Sequence, residues 1–311
     1  MTSVLGCVYR TWNLLRNEAL TPLGSSGTGR AEERAETVMK SLSILVTTFL
    51  CATAALAQHR QSDAVVLPLS AAAELLIPVA GSTPGANGTF FRSDIAIVNF
   101  ASHDQMVKIQ WLPQGGGSVT STTITIAAQS GIRSADFVTN YLNQTGLGAL
   151  IVTGVTSTGA ADSTARLYVS SRVWTPEPGT TGTTSQSLPA IPTSSINTQI
   201  GLLLAVGGAD KPENYRVNVG IVNVDPTRTQ TFVVGLPTSS GNAAVYAVTV
   251  PPMSMQQVAL GSGISPTQEV LVQNATSSAT LSNSWIAYGS TIDNVTGDAW
   301  SELAVLGTTS P

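Results

Sequence analysis

Asp293-Asn294-Val295-Thr296-Gly297-Asp298 is the densest run of oxygen donors in the chain. Hard cations such as calcium take several carboxylate and carbonyl oxygens from one loop. Asp293, Asn294 and Asp298 are therefore the candidate metal ligands, with calcium as the ion. The run lacks the third acidic position and the closing Glu of an EF-hand loop. A tight hairpin turn with Gly297 at positive φ accounts for the same residues and is the favoured reading. No other cofactor is indicated.

Catalysis has few groups to draw on. The two histidines are His59 and His103. His103 lies in Ala101-Ser102-His103-Asp104, and a Ser-His-Asp arrangement would have to use it. No G-x-S-x-G elbow accompanies it. A turn residue is the simpler reading of His103. Asp94, Asp104, Asp136, Asp162 and Glu177 are spread along the chain. A glycosidase needs two carboxylates within a few ångströms, and no spacing here marks such a pair. Trp174 and Trp285 are expected in a core, while an exposed Trp platform would favour sugar stacking. The N-x-Thr sequons at Asn87, Asn143, Asn274 and Asn294 are about as many as chance gives in a chain this rich in Asn, Ser and Thr.

Composition supports this scarcity of reactive groups. Of 311 residues, only 10% are charged and 42% are hydrophobic. Soluble domains average about 25% charged residues. A formal net charge of -4 leaves no basic footprint for nucleic acid. Two His and two Cys cannot build a zinc framework or a disulfide scaffold. The apolar fraction is too high for disorder driven by charge.

The N-terminal region indicates export. Residues 39–57 read MKSLSILVTTFLCATAALA, with Lys40 as the basic n-region, an apolar stretch, and Ala55-Leu56-Ala57 as a small-x-small cleavage site. This predicts a signal peptide cleaved after Ala57. Residues 1–38 then read as an extension upstream of a true start at Met39, or as a long n-region. Cleavage would remove Cys7 and Cys51 and five of the 14 basic residues. Leu50 before Cys51 argues against lipidation. No later apolar run is long enough for an integral membrane segment, which needs about 20 residues.

An internal repeat organises the rest. Phe91-Arg92-Ser93-Asp94-Ile95-Ala96-Ile97-Val98-Asn99 matches Tyr215-Arg216-Val217-Asn218-Val219-Gly220-Ile221-Val222-Asn223 at an offset of 124 residues. Leu150-Ile151-Val152 resembles Val270-Leu271-Val272 at 120, and Leu167–Trp174 resembles Trp285–Ile292 at 118. Small loop deletions explain the shrinking offset. Arg92, Arg216, Asn99 and Asn223 are thus repeat positions, for which structural roles are favoured, with a ligand-binding role for the arginines as the alternative. Each Asn ends a strand, and each Arg is placed to clamp a carboxylate such as Asp94 or a strand-end carbonyl.

Each copy reads as strands. Ile95 and Ile97 fall on one face, with Arg92 and Asp94 on the other, the period of two expected of a half-buried strand. Further strands are expected at 106–112, 119–126, 149–154 and 165–174. In the second copy they are expected at 231–236, 244–250, 255–260, 270–273, 281–292 and 300–305. Only Ser134–Leu142 has helical spacing. Residues 186–191 are expected to close the first copy after a turn at 176–184. The predicted fold class is all-β, with two tandem Ig-like antiparallel β-sandwich domains after the signal peptide. Residues 58–74 form an N-terminal tail, 75–191 the first domain, 192–199 a linker and 200–307 the second domain. An eight-residue linker reaches at most about 28 Å, so the domains should sit end to end or packed.

The two aromatic-Arg-x-x-apolar-x-apolar-x-Asn blocks, with Thr291–Asp298, resemble a repeat in uncharacterised exported bacterial proteins. That resemblance covers residues 75–306 and implies a tandem β-sandwich, with no catalytic residues carried over. Trp174-Thr175-Pro176-Glu177-Pro178-Gly179 departs from its closing hairpin. The expected function is non-catalytic: an exported structural, adhesive or surface-binding protein whose partner is a surface protein or glycan. The alternatives are a secreted carboxylate-dependent hydrolase and a glycan-binding accessory domain pair.

Overall fold

The computed structural model describes residues 71–307, apart from 178, 205, 209–210, 239–240, 263, 265–268 and 278–279. The expected leader, the signal peptide with its cleavage site, and most of the 58–74 tail lie outside the described residues, as do Cys7, Cys51 and His59. All described residues belong to one compact unit, Pro68–Pro311. Among them, no helix is long and apolar enough to cross a membrane.

The unit is all-β, with antiparallel ladders. Its N-terminal half holds β1 (Glu74–Pro84), β2 (Phe90–Asn99), β3 (Gln105–Pro113), β4 (Thr120–Ile126), β5 (Gly131–Ser134), β6 (Gly146–Val155), β7 (Leu167–Pro176), β8 (Thr183–Ser187) and β9 (Ile191–Pro192). Its C-terminal half holds β10 (Ile200–Leu203), β11 (Tyr215–Asn223), β12 (Gln230–Thr238), β13 (Gly241–Val250), β14 (Ser254–Ser262), β15 (Val270–Asn274), β16 (Trp285–Asp293), β17 (Ala299–Leu303) and β18 (Val305–Gly307). One α-helix, α1 (Phe137–Leu142), stands inside the segment with helical spacing. Asn143 ends it in the left-handed conformation, where Asn is tolerated.

The halves share one topology. In the second, the sheets run β13-β12-β15-β10-β18 and β14-β11-β16-β17. In the first, the order is β4-β3-β6-β1-β2-β7-β8, with β5 on β2 and β9 on β1. That path folds over between β1 and β2, which pair only at Ser82–Pro84 with Phe90–Arg92. Opening it there gives β4-β3-β6-β1-β9 and β5-β2-β7-β8, the same two layers strand for strand. Alternation explains the packing. Leu75, Ile77, Val107, Ile109, Leu150 and Val152 from one layer meet Ile95, Ile97, Leu167 and Val169 from the other. In the second half, Phe232, Val234 and Val272 meet Val217, Val219, Ile221 and Trp285 in the same way.

Some elements differ from the sequence expectation. The closing stretch at 186–191 is two elements: β8 hairpins onto β7, and β9 crosses to the other layer to pair with Leu75 and Leu76. Pro189 interrupts the stretch, and proline cannot supply a ladder donor. The 192–199 segment is tied down. It contains a 3-10 turn at Thr193–Ser195, Thr193 Oγ1 donates to Glu74 Oε1 at 2.6 Å, and the Thr198 N–H donates to the Asn283 carbonyl. Trp285 is fully buried, but Trp174 is only half-buried. The late-strand match hid this, because Trp285 begins β16 whereas Trp174 lies near the end of β7.

A third apolar cluster joins the halves. Leu76, Val79, Leu112, Ala149 and Ile151 of the first meet Val222, Met255, Ile286 and Tyr288 of the second. Polar bonds line its margin: Gly115 N–H to the Met255 carbonyl at 2.9 Å, Thr184 Oγ1 to the Gly297 carbonyl at 2.7 Å, and Ser301 Oγ to the Ser187 carbonyl at 2.9 Å. Gly116 sits at φ +89 against Pro251, where a Cβ would lie 2.8 Å from the proline ring. The β3–β4 loop therefore needs glycine to lie against the second half. Of the two arrangements expected for the halves, the structure shows the packed one.

Candidate functional site

The outer faces of β2 and β11 begin from matched residues and diverge. On β2, Arg92 and Asp94 point outward together, as alternation requires. Asp94 does not pair with Arg92. Arg133 grips both its oxygens at 2.8 and 2.6 Å, and Arg172 adds a contact at 3.5 Å. The Arg133 hydrogen bond holds the Asp94 carboxyl below the usual carboxylate range, against the opposing effect of burial. Arg92 pairs with Asp136 at 3.5 Å and lies over the rings of Phe90 and Trp174 at 4.8 and 5.7 Å. Arg92, expected to clamp Asp94 or a strand-end carbonyl, holds Asp136 instead, and Arg133 and Arg172 reach Asp94 from neighbouring strands.

Strand register identifies the same positions in the second half. Arg133 faces Ala96, and Gln257 faces the matched Gly220. Arg172 faces Asp94, and Ser290 faces the matched Asn218. The set Arg92, Asp94, Arg133, Arg172 thus becomes Arg216, Asn218, Gln257, Ser290. The first set lies on a surface where Arg133 is 69% exposed. The second lines a cavity of 460 Å³ between the halves, in which Arg216 is the only charged lining residue among the described residues. Phe91, Val173 and Gln186 of the first half form part of its wall. The cavity continues into one of 390 Å³ that shares Arg216, Phe91 and Gln186 and reaches the β16–β17 turn.

Arg216 is half-buried. Burial pushes its pKa below the ordinary arginine value, though an arginine stays charged at any physiological pH. Among the described residues it forms no ion pair. One of its nitrogens donates to Asn294 Oδ1. The side-chain Oε1 of Gln186 is buried with no hydrogen-bond partner among the described residues. Gln257 accepts the Tyr288 hydroxyl at 2.9 Å, which leaves its amide N–H groups for other acceptors.

The candidate metal ligands lie at the far mouth of this groove, in the β16–β17 turn. Their oxygens serve the chain itself. Asp293 Oδ1 accepts the Val295 N–H at 2.7 Å and Oδ2 the Thr296 hydroxyl at 2.8 Å. The Val295 bond and then the Thr296 bond hold Asp293 below the usual carboxylate range. Asp298 Oδ1 accepts the Ala299 N–H at 2.9 Å, and Asn294 Oδ1 faces the Arg216 cation. Gly297 has φ +80, as the turn requires. Among the described residues, no three His, Cys, Asp or Glu side chains group as metal ligands.

Asn99 and Asn223 are buried structural ties at matched strand ends. His103 is exposed, and its backbone carbonyl accepts from Asn99 Nδ2. The five candidate catalytic carboxylates have local duties. Asp94 and Asp136 pair with arginines, Asp104 accepts the Ala128 N–H, Asp162 binds Thr164, and Glu177 accepts from Thr180. The groove residues Phe91, Gln186, Gln257 and Ser290 were missed in the sequence. Comparing Asp94 with Asn218 across the repeat is the signal that could have found them.

No protein-family model matches the chain, and no curated protein is similar to it at a significant level.

Proposed function

We propose that this chain is an exported, non-catalytic surface-binding protein built from two tandem Ig-like β-sandwich domains. The observation that carries this reading is the joint between its halves. Two strand-for-strand copies are fixed against each other by an apolar cluster, and they leave a groove whose inner part sets neutral polar side chains around Arg216, with Glu177 and Asp293 at its far mouth. Concave sites between packed units are where ligands are usually held. Support also comes from the carboxylates named above, each already engaged by a neighbouring arginine, hydroxyl or backbone N–H. The proposed export rests on residues 39–57 and the low charge, and the partner is a surface protein or glycan.

The test is retention of the purified full-length chain on immobilised cell-surface polysaccharides and surface proteins, with mass spectrometry of the eluted partner. Retention of an unaltered partner is the expected result. Cleavage of the partner would replace this reading with a hydrolase.

A further inference from the structure

We infer that the groove between the halves binds a carboxylate-bearing sugar, with Arg216 holding the carboxylate. This deepens the binding function proposed above and rests on it.

The repeat supplies the argument. In the first half the outer-face arginines are neutralised within the protein, by Asp94 and Asp136. In the second half the arginine is kept, while Asp94 becomes Asn218, Arg133 becomes Gln257 and Arg172 becomes Ser290. A structural ion cluster has been stripped to one cation and three neutral hydrogen-bonding groups. The stripped version is the one that lines a cavity. A half-buried guanidinium with no carboxylate partner among the described residues is matched by a planar anion that accepts two parallel N–H bonds.

The surrounding groups select the rest of the ligand. Gln186, Asn218, Gln257 and Ser290 offer amide and hydroxyl groups suited to sugar hydroxyls, and the side-chain Oε1 of Gln186 lacks a donor among the described residues. Phe91 and Val173 give an apolar wall for the carbon face of a ring. Neutral polar groups around a single cation fit a polyhydroxylated acid better than an acidic peptide, which would bring several negative charges. At the far mouth, Glu177 and Asp293 disfavour a long run of anions.

The experiment is isothermal titration of the full-length chain with a galactose trisaccharide carrying a single galacturonate unit, the neutral galactose trisaccharide and triglutamate, at low and high salt. The variants are Arg216→Gln, Arg92→Gln and Asn218→Asp. The mono-acid trisaccharide should bind and the other two should not. Arg216→Gln should weaken binding about ten-fold or more, the usual effect of losing a charge-assisted pair. Arg92→Gln, the matched position outside the groove, should leave it unchanged. Asn218→Asp keeps the side-chain shape and returns a carboxylate to the cavity, so it should abolish binding in a chain whose melting temperature is retained. It also serves if Arg216→Gln does not fold. Equal binding of the neutral sugar, preference for triglutamate, or undiminished binding in Asn218→Asp would overturn the assignment. Retention of a surface partner that Asn218→Asp leaves intact would remove this groove but keep the binding function. No retained partner at all would remove both.

Discussion

Asn99 and Asn223 make the same bonds in the two halves. Asn99 Nδ2 donates to the carbonyls of His103, Ile126 and Ala127, and its Oδ1 accepts the Ala101 N–H. Asn223 Nδ2 donates to the carbonyls of Arg228, Val250 and Pro251, and its Oδ1 accepts the Asp225 N–H. Both residues are fully buried. Each one ties the end of a strand to the end of the fourth strand of its half.

Replacing either Asn by Ala should therefore cost about 3 kcal/mol, since the buried carbonyls and one N–H lose their partner together. Asn→Asp should cost more, because a carboxylate has no donor and would face three carbonyl oxygens. Urea denaturation of the four variants checks this. Equal losses in the two halves are expected.

A second cross-repeat relationship sets the joint. Gly220 lies opposite Tyr288, and the matched pair in the first half is Ala96 opposite Ser170. The tyrosine ring lies over the glycine so closely that a Cβ there would be 2.1 Å from it. Gly220→Ala should push Tyr288 out of the cluster between the halves and cost about 2–4 kcal/mol. Tyr288→Ser removes the obstruction and restores the first-half pair. The double variant should then be about 1–2 kcal/mol more stable than the sum of the single losses predicts. Additive losses in the denaturation cycle would contradict this contact.

The pattern of what was legible follows from the physics. The period of two in Ile95-Ala96-Ile97 and Val219-Gly220-Ile221 marks which face is buried, so the alternating strands could be read directly, whereas β1 could not, because its run from Leu75 to Ser82 is buried on both faces and carries no period of two. The short strands β5, β9, β10 and β18 could not, because their few residues carry little periodicity and they are held mainly by their neighbours' ladders. The groove was hidden for a different reason. Arg216, Gln257 and Ser290 come from three strands and meet Phe91 and Gln186 of the other half, and only register and the packed joint bring them together. Which arginine holds Asp94 was likewise a question of register.

Asp94 sets a pH dependence. Its carboxyl is held low chiefly by the Arg133 hydrogen bond, so the stabilisation is present above the unfolded value of about 3.9. It is lost as pH falls below that and through the lower native value. Arg133 is largely exposed, so solvent screens the pair and about 1 kcal/mol is expected. Asp94→Asn should lose that amount at pH 7. The gap between wild type and variant should close progressively as pH falls below about 4, measured by urea denaturation at stepped pH. A gap that widened on acidification would reverse the assignment.

The oxygens of the Asp293–Asp298 turn are engaged by the chain itself, so the turn is expected not to take up calcium. A calcium ion there would compete with the Val295 N–H and the Thr296 hydroxyl for Asp293, and would face the Arg216 guanidinium across Asn294. Each of those donors would have to be released before the oxygens could turn to a cation, and the nearby positive charge opposes its arrival. Calcium at millimolar concentration should thus leave the melting temperature unchanged. Asp293→Ala should lower it, because the turn loses two bonds that keep the β16–β17 hairpin in register. Arg216→Gln should not create calcium binding, since the backbone bonds to Asp293 remain. A calcium-dependent rise in melting temperature that Asp293→Ala abolishes would instead establish the ion as part of this turn.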